Sequence, residues 1–326
     1  MKKAFIVGIA GQDGSYLAES LLEKGYKVSG IIRRNSTVEH QRNRISHLGD
    51  IQLEYGDLND PTSLDRALRL FQPTEIYNLG AQSHVRISFD VPQFTTQVNS
   101  LGVLNLLEAY RQLAPEAKFY QASSSEMFGN SIDEDLFQRL TTPMNPVSPY
   151  GCSKLYGFHM VKLYRNSYGL NANNGILFNH ESPRRGSNFV TNKVVKTAVQ
   201  IKLKISKKLE LGNLDSHRDW GHSWDYVRAM QLIMNQDTPD DWIVSTGETR
   251  SVRQLCEYVF GQLGLEYQDF VTQNPKYLRP NELEYLRGDS SRIRNELGWR
   301  PKYTFESMMD EMIEHWQNHF ANGGEA

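Results

Sequence analysis

Cysteine is almost missing from this chain. Only Cys152 and Cys256 occur among 326 residues, far apart and in no ligand-like spacing, which argues against a disulfide framework and against a thiolate metal site. Long apolar runs are missing too: none approaches the roughly 20 residues of a membrane span. The first residues, Met1 to Gly8, reach a glycine too early for a secretory leader. Neither charge sign is in surplus, since 36 Lys+Arg face 38 Asp+Glu for a net charge of -2, so no nucleic-acid or membrane-surface partner is expected and any anionic ligand must be met by local arginines. Internal repeats and low-complexity tracts are absent as well. Together these absences lead to the expectation of a cytoplasmic protein with no metal.

What is present is ordinary for a globular chain, with 39% hydrophobic and 23% charged residues. The length suits one large or two smaller domains with a substantial core. Strand-like and helix-like segments alternate from the start. Ala4 to Val7 reads as a strand, Ser15 to Lys24 as a helix stopped by Gly25, and Val28 to Ile32 as a second strand. Pro61 opens a helix whose apolar stripe is Leu64, Ala67, Leu68 and Phe71. Strands follow at Glu75 to Leu79 and Lys118 to Ala122, with a helix around Val98 to Leu113 between them. Repeated βα units imply an α/β fold, a Rossmann-like, doubly wound parallel sheet.

After about Asn171 the alternation weakens, and arginine- and proline-bearing loops appear at Asn179 to Gly186, Gly212 to Asp225 and Lys276 to Gly288. Residues 1–178 are therefore expected to form a dinucleotide-binding domain. Residues 179–326 form mainly a smaller C-terminal substrate-binding lobe, with segments around 218–248 returning to the first domain. Val252 to Leu263 reads as a helix behind a Ser251/Gln254 capping pair, with Cys256 on its apolar stripe as core packing. A last helix, Phe305 to Phe320, carries Phe305, Met309, Met312, Trp316 and Phe320 on one stripe.

Gly8-Ile9-Ala10-Gly11-Gln12-Asp13-Gly14 joins the first strand to the first helix. Glycines spaced three and three suit a tight turn that lets backbone approach a pyrophosphate. Where a fold selective for NAD places an acid, this chain has Arg33 and Arg34, two guanidiniums that suit a 2′-phosphate, so NADP is the expected cofactor. Asp57 and Leu58 after the third strand are expected to border the adenine. Leu79, Ala81 and Ser83, after the fourth, lie at the carboxyl ends of the strands, where such ligands run.

Tyr150 and Lys154 are four apart, so on a helix they share a face. An ammonium beneath a phenol favours its ionised form, which makes Tyr150 a candidate base near neutral pH. Ser124 and Glu126 leave the fifth strand, where a period of two puts a hydroxyl and a carboxylate on one face. This set goes beyond simple dehydrogenation. Oxidising a sugar hydroxyl acidifies the neighbouring C–H, a carboxylate can remove that proton, and a β-hydroxyl can leave as water.

These residues, together with Gly11-Gln-Asp-Gly-Ser-Tyr-Leu-Ala-Glu19, Tyr77-Asn-Leu-Gly-Ala81, the segment Gly175 to Gly186 and Arg218-Asp-Trp-Gly221, are where the chain closely resembles GDP-mannose 4,6-dehydratases of the extended short-chain dehydrogenase/reductase superfamily. The resemblance runs over nearly its entire length. It implies that Tyr150 takes the C4 hydroxyl proton, Lys154 holds the nicotinamide ribose, Glu126 abstracts the C5 proton and Ser124 bonds the C4 oxygen. It further implies NADP contacts from His180 and Arg185, and GDP-sugar contacts from Ser83, Asn179, Lys193, Arg218, Arg279 and Glu282. A homodimer or homotetramer is implied as well, with the loop from Arg33 to Arg44 near a neighbour's cofactor. Two departures stand out: Ser124 where threonine is frequent, and Phe94 where a tyrosine is expected near the cofactor.

Alternatives stay open at this point. The same reaction on a GDP-manno-heptose would use the same motifs. An NADPH-dependent ketosugar reductase or a nucleotide-sugar epimerase would use Tyr150 and Lys154 but has no need of Glu126. A non-catalytic nucleotide-binding protein on an enzyme fold has no need of the four catalytic side chains. Lys202 to Lys208, with four lysines, is expected to be a solvated surface run.

Overall fold

Short, fully buried apolar segments set the framework of the computed structural model, which describes residues 1–33 and 44–324. Ala4, Phe5 and Ile6 are sealed from solvent in β1 (Lys3–Val7), flanked by β2 (Lys27–Ile32) and then β3 (Ile51–Tyr55). On the other side of β1 lie β4 (Glu75–Asn78), β5 (Lys118–Ser124) and β6 (Ala172–Leu177). One late strand, Asp241–Val244, pairs with β6 at the edge. All six pairings of this seven-stranded sheet are parallel. A wholly parallel sheet needs both faces covered, and two large apolar clusters flank it. The chain runs outward from β1 to β3 and then crosses back to β4, so the carboxyl ends of β1 and β4 form the crevice where such sheets bind ligands.

Helices begin and end where their residues dictate. α1 (Gln12–Glu23) starts directly after the glycine turn and is stopped at Gly25, whose φ of +76° favours glycine. α2 (Pro61–Phe71) is capped by Asp60 and buries Leu64, Ala67, Leu68 and Phe71. The helix expected around Val98 is less regular. α3 (Val85–Asp90) and α4 (Pro92–Thr96) lead through a π-turn at Gln97–Leu101 into α5 (Gly102–Leu113). A Cβ on Gly102 would stand 2.7 Å from Leu58 Cβ, so the run is pressed against the end of the β3–α2 connection. α6 (Pro149–Tyr168) is capped by Ser148 and begins with proline, as its sequence favours.

Beyond β6 the elements are short. β7 (Asn179–Glu181) is followed by α7 (Val190–Lys202), β8 (Leu209–Leu211), β9 (His217–Arg218), β10 (Trp220–His222) and α8 (Ser223–Met234). After the edge strand, here β11, come β12 (Arg250–Ser251), α9 (Val252–Gln262), β13 (Val271–Gln273), α10 (Ser291–Glu296) and α11 (Phe305–Ala321). These build three two-stranded ladders, β7 with β10, β9 with β12 and β8 with β13. α7, α9 and α11 share a core of their own, in which Met309 and Met312 are fully buried while Phe305, Trp316 and Phe320 pack against it. Both bonds of the Ser251/Gln254 capping box form. Cys256 is buried in this core, and burial pushes its thiol up to about 12.

Candidate active site

Backbone contacts explain the glycine turn. Gly8 has φ +85°, and a Cβ there would stand 2.9 Å from the Leu79 carbonyl carbon; a Cβ on Gly14 would be 2.2 Å from the Gly8 oxygen. Helix and strand can approach this closely only with glycine at both positions. Gly11 is different, since its Cβ would meet only the Gly8 oxygen at 3.1 Å, leaving its outer side open to a ligand. α1 starts there without a side-chain cap, so its first N–H groups face the cleft. This cleft, about 510 Å³, is lined by Gly8, Gly11, Gln12, Asp13, Gly14, Arg33, Asp57, Leu58, Leu79, Ala81, Ser83 and Arg185. Arg34 lies outside the described residues. An open glycine cradle, uncapped helix N–H groups and a guanidinium at the end of β2 fit a dinucleotide pyrophosphate and a further phosphate.

A second cavity of about 760 Å³ shares Asp13, Leu79, Ala81, Ser83 and Arg185 with the first, so the two adjoin. Its walls carry Ser124, Glu126, Tyr150, Lys154, Asn179, His180, Lys193, Arg218, Arg279 and Glu282. Segments 179–193 and 212–218 and the loop 277–282 thus bring their polar side chains over the end of β5, opposite the cap of α6.

The face shared by Ser124 and Glu126 does not come from strand periodicity. β5 ends at Ser124, and Glu126 sits in a 3-10 turn, Ser125–Met127, which Ser124 Oγ caps by accepting from Glu126 N at 3.2 Å. Small polar residues at a strand end favour this local capping over one more extended residue. The turn still points both residues to the same cavity.

The relation of Tyr150 to Lys154 also differs from expectation. They do share a helical face, but Lys154 Nζ donates to the Ala122 carbonyl at 2.8 Å and lies 5.8 Å from the phenol ring centroid. Burial pushes the Tyr150 phenol up to about 12 despite a hydrogen bond with Ser124, and burial pulls Lys154 down to about 8 against the charge of Asp13. The phenol is therefore held as a weak acid, burial and the Glu126 charge outweighing the hydrogen bond from Ser124 and the charge of Arg185.

His180 lines the larger cavity and reaches Asp13, which lines both. Its Nε2 is 2.8 Å from Asp13 Oδ2, its Nδ1 is 2.7 Å from the Phe178 oxygen, and its ring stacks on Tyr226 at 4.4 Å. Burial pulls its pKa down, but the Asp13 charge and both hydrogen bonds more than restore it, and Asp13 is lowered in return despite its own burial. Both ring nitrogens are thus engaged by protein, and His180 offers a ligand its ring face and edge. Gln12 is likewise a strut, donating to the His180 oxygen at 3.1 Å and accepting from Ser182 Oγ at 2.9 Å.

At the far wall Arg279 Nη1 reaches Glu126 Oε1 at 3.1 Å and Glu282 lies 3.8 Å from Arg218. Burial, then the like charge of Arg279, pulls Arg218 down to about 10. Lys193 donates to the Glu210 carbonyl at 2.6 Å and sits 3.8 Å from the Tyr277 ring centroid. In the walls of the larger cavity two acceptors are buried with no hydrogen-bond partner among the described residues, Glu126 Oε2 and Asn179 Oδ1. Buried acceptors left open in a polar cavity are places for donors of a ligand.

Sequence reasoning missed His84, Arg86, Phe189 and Tyr277, which also line the larger cavity; Arg44, expected with its loop near a neighbour's cofactor, lines the smaller cavity of its own chain, and residues 34–43 of that loop lie outside the described residues. His84 caps α3 and packs on Phe189 at 5.1 Å; the polar run after β4 extended past Ser83 and could have signalled it. Single aromatics in loops carry no such signal. Arg44 donates to the Arg184 carbonyl at 2.8 Å, and burial with the charges of Arg184 and Arg185 lowers its pKa. Phe94 lines neither cavity and is exposed on α4, so its departure from tyrosine has no counterpart at the site. Lys202, Lys204, Lys207 and Lys208 are all exposed.

Among known proteins, residues 5–312 match the family model for GDP-mannose 4,6 dehydratase. GDP-mannose 4,6 dehydratase of Drosophila melanogaster is 46% identical, covering 96% of this chain and 85% of the relative; the Homo sapiens enzyme is 46% identical over 95% and 90%. Among solved structures, UDP-glucose 4-epimerase of Thermus thermophilus, in complex with NAD, superposes with a TM-score of 0.84 at 27% identity, covering 97% of this chain and 99% of the other. A doubly wound parallel sheet, a glycine cradle beside a Ser/Glu/Tyr/Lys cavity and these full-length matches agree: the chain belongs to the GDP-mannose 4,6-dehydratase family.

Proposed function

We propose that this hydro-lyase converts GDP-mannose to GDP-4-keto-6-deoxy-mannose with NADP, and that its own side chains divide the work as follows. A nicotinamide dinucleotide held along Gly8, Gly11 and Gly14 would supply the hydride exchange between C4 and C6. Tyr150 takes the C4 hydroxyl proton, and Ser124 hydrogen-bonds the same oxygen. Glu126 then removes the C5 proton, made acidic by the adjoining ketone, and passes it to the C6 hydroxyl as water leaves, and the proton held by Tyr150 goes to C5 to complete the saturated product. Lys154 orients the nicotinamide ribose. The observation carrying this reading is that Glu126 lines the same cavity as Tyr150, Lys154 and Ser124, because reduction or epimerisation needs no carboxylate at C5.

Arg33, Arg44 and Arg185 in the cofactor cleft support NADP over NAD, through charge-assisted bonds to a 2′-phosphate. Asn179, Lys193, Arg218, Arg279 and Glu282 surround the GDP-sugar in this reading, the cations facing its diphosphate. Residues 1–178, with 218–248, serve as the cofactor half and 179–326 mainly as the sugar half. Val91, Phe94 and Leu101, exposed on one helical run, and Tyr156 and Leu163, exposed on the adjoining α6, support assembly into a homodimer or homotetramer. Two free cysteines suit the reducing cytoplasm.

Mass spectrometry of the product tests the reaction. Loss of one water from GDP-mannose is expected, whereas unchanged mass would indicate epimerisation, and two added hydrogens with NADPH consumed would indicate reduction. GDP-manno-heptose is the competing substrate, because Ser124 in place of threonine leaves room and an extra carbon costs a pocket only about 1 to 3 kcal/mol. A higher kcat/KM on the heptose would reassign the sugar and keep the chemistry.

A further inference from the structure

Glu126 does not stand alone. While Arg279 holds its Oε1 at 3.1 Å, Arg279 Nε also lies 3.9 Å from Glu282, which continues to the buried Arg218 at 3.8 Å. The loop bearing Arg279 is tied to the segment that follows Glu126: Asn130 Nδ2 donates to the Glu282 oxygen at 3.1 Å, and Glu284 N donates to Asn130 Oδ1 at 2.9 Å. The charged and titratable groups facing Glu126 from the elements around it are Arg279, Arg218 of β9 and Tyr150 of α6 among the described residues. Glu282 pairs with both arginines, at 3.8 Å from Arg218 and 3.9 Å from Arg279.

A guanidinium paired with a carboxylate stabilises the charged form and so weakens it as a base. The same guanidinium binds a diphosphate more strongly, because the group carries more charge and accepts both prongs of the fork. Arg218 and Arg279 repel each other across this wall, and an anion between them relieves that repulsion. We infer that Arg279 is a positioning residue coupling nucleotide binding to the base: it clamps Glu126 in the free enzyme and moves to the diphosphate of the bound nucleotide sugar. Glu126 is then left unpaired beside C5 when its strength as a base is needed. The inference rests on the assignment of Glu126 as the C5 base.

Two pH profiles test it, since the acid limb of kcat/KM reports the free enzyme and that of kcat the complex. In the wild type the kcat limb should lie about one pH unit or more above the kcat/KM limb. In Arg279→Gln the two limbs should come together. The second readout uses GDP and 13C-glutamate labelling, with the Glu126 signal assigned by its loss in Glu126→Gln. Saturating GDP should raise the protonation midpoint of that signal by about one pH unit or more in the wild type, and by much less in Arg279→Gln. The wild-type titration alone decides if the arginine variant does not fold, and an unmoved midpoint overturns the coupling. Coincident wild-type limbs with an inactive Glu126→Gln would overturn the coupling and leave the base assignment standing. Full dehydration by Glu126→Gln would overturn the base assignment and the coupling with it.

Discussion

At the scale of single residues, the four catalytic candidates were legible because each is a reactive type at a fixed offset. Their electrostatics were not, because burial depends on what packs around them. The i, i+4 spacing placed Lys154 beside Tyr150, yet nothing in the spacing shows that the Ala122 carbonyl captures the ammonium at 2.8 Å. Glu126→Gln keeps size and one hydrogen bond but cannot accept the C5 proton, so dehydration should fall by at least about 100-fold. Hydride transfer from C4 should survive, and bound NADPH should accumulate by its absorbance. Tyr150→Phe should stop that first transfer and accumulate none. Lys154 adds a pH prediction. Its charged form is lost as pH rises through about 8, so if the ammonium is what orients the ribose, kcat/KM should decline above that value. A profile flat to pH 10 would show that neutral Lys154 serves equally well.

Among elements, the regular ones were readable from periodicity and caps: the stripe of α2 and the capping box of α9 follow from local chemistry. Elements that depend on distant partners were not. Arg218-Asp-Trp-Gly221 stood out as a motif, but the role of Asp219 emerges only in three dimensions. Fully buried, it accepts from Thr246 N at 2.9 Å, Thr246 Oγ1 at 2.6 Å and Gly247 N at 2.9 Å, and so fastens β9 and β10 to the end of β11. Burial nevertheless raises its carboxyl to about 6. The raised value means that ionisation works against the fold: the penalty is absent below the unfolded carboxyl range near 4 and complete above about 6. Asp219→Ala should cost about 2 kcal/mol at pH 7 by stranding those donors. The gap from wild type should widen toward pH 4.5, where the wild-type carboxyl is favoured in its neutral form. Urea unfolding at the two pH values measures it, and a gap that narrows on acidification would contradict the assignment.

Across the whole molecule, alternating βα units foretold the sheet, but the strand order and the union of the two cavities needed coordinates. The reason is that residues 150 or more apart in sequence meet at the site: Gln12 and Asp13 touch His180, and Glu126 touches Arg279. No local pattern encodes such pairings. Asp13, Leu79, Ala81, Ser83 and Arg185 line both cavities, so ordering this common wall for one ligand prepares it for the other. NADP at one hundred times its Kd should add about 2.7 kcal/mol to the unfolding free energy, and GDP at the same multiple a similar amount. Together they should exceed the two separate gains by about 1 kcal/mol or more, the usual size of coupling between linked sites. Urea unfolding with each ligand, both and neither gives the four values required. Gains that add within about 0.5 kcal/mol would mean that the cofactor and the nucleotide sugar meet walls that do not communicate.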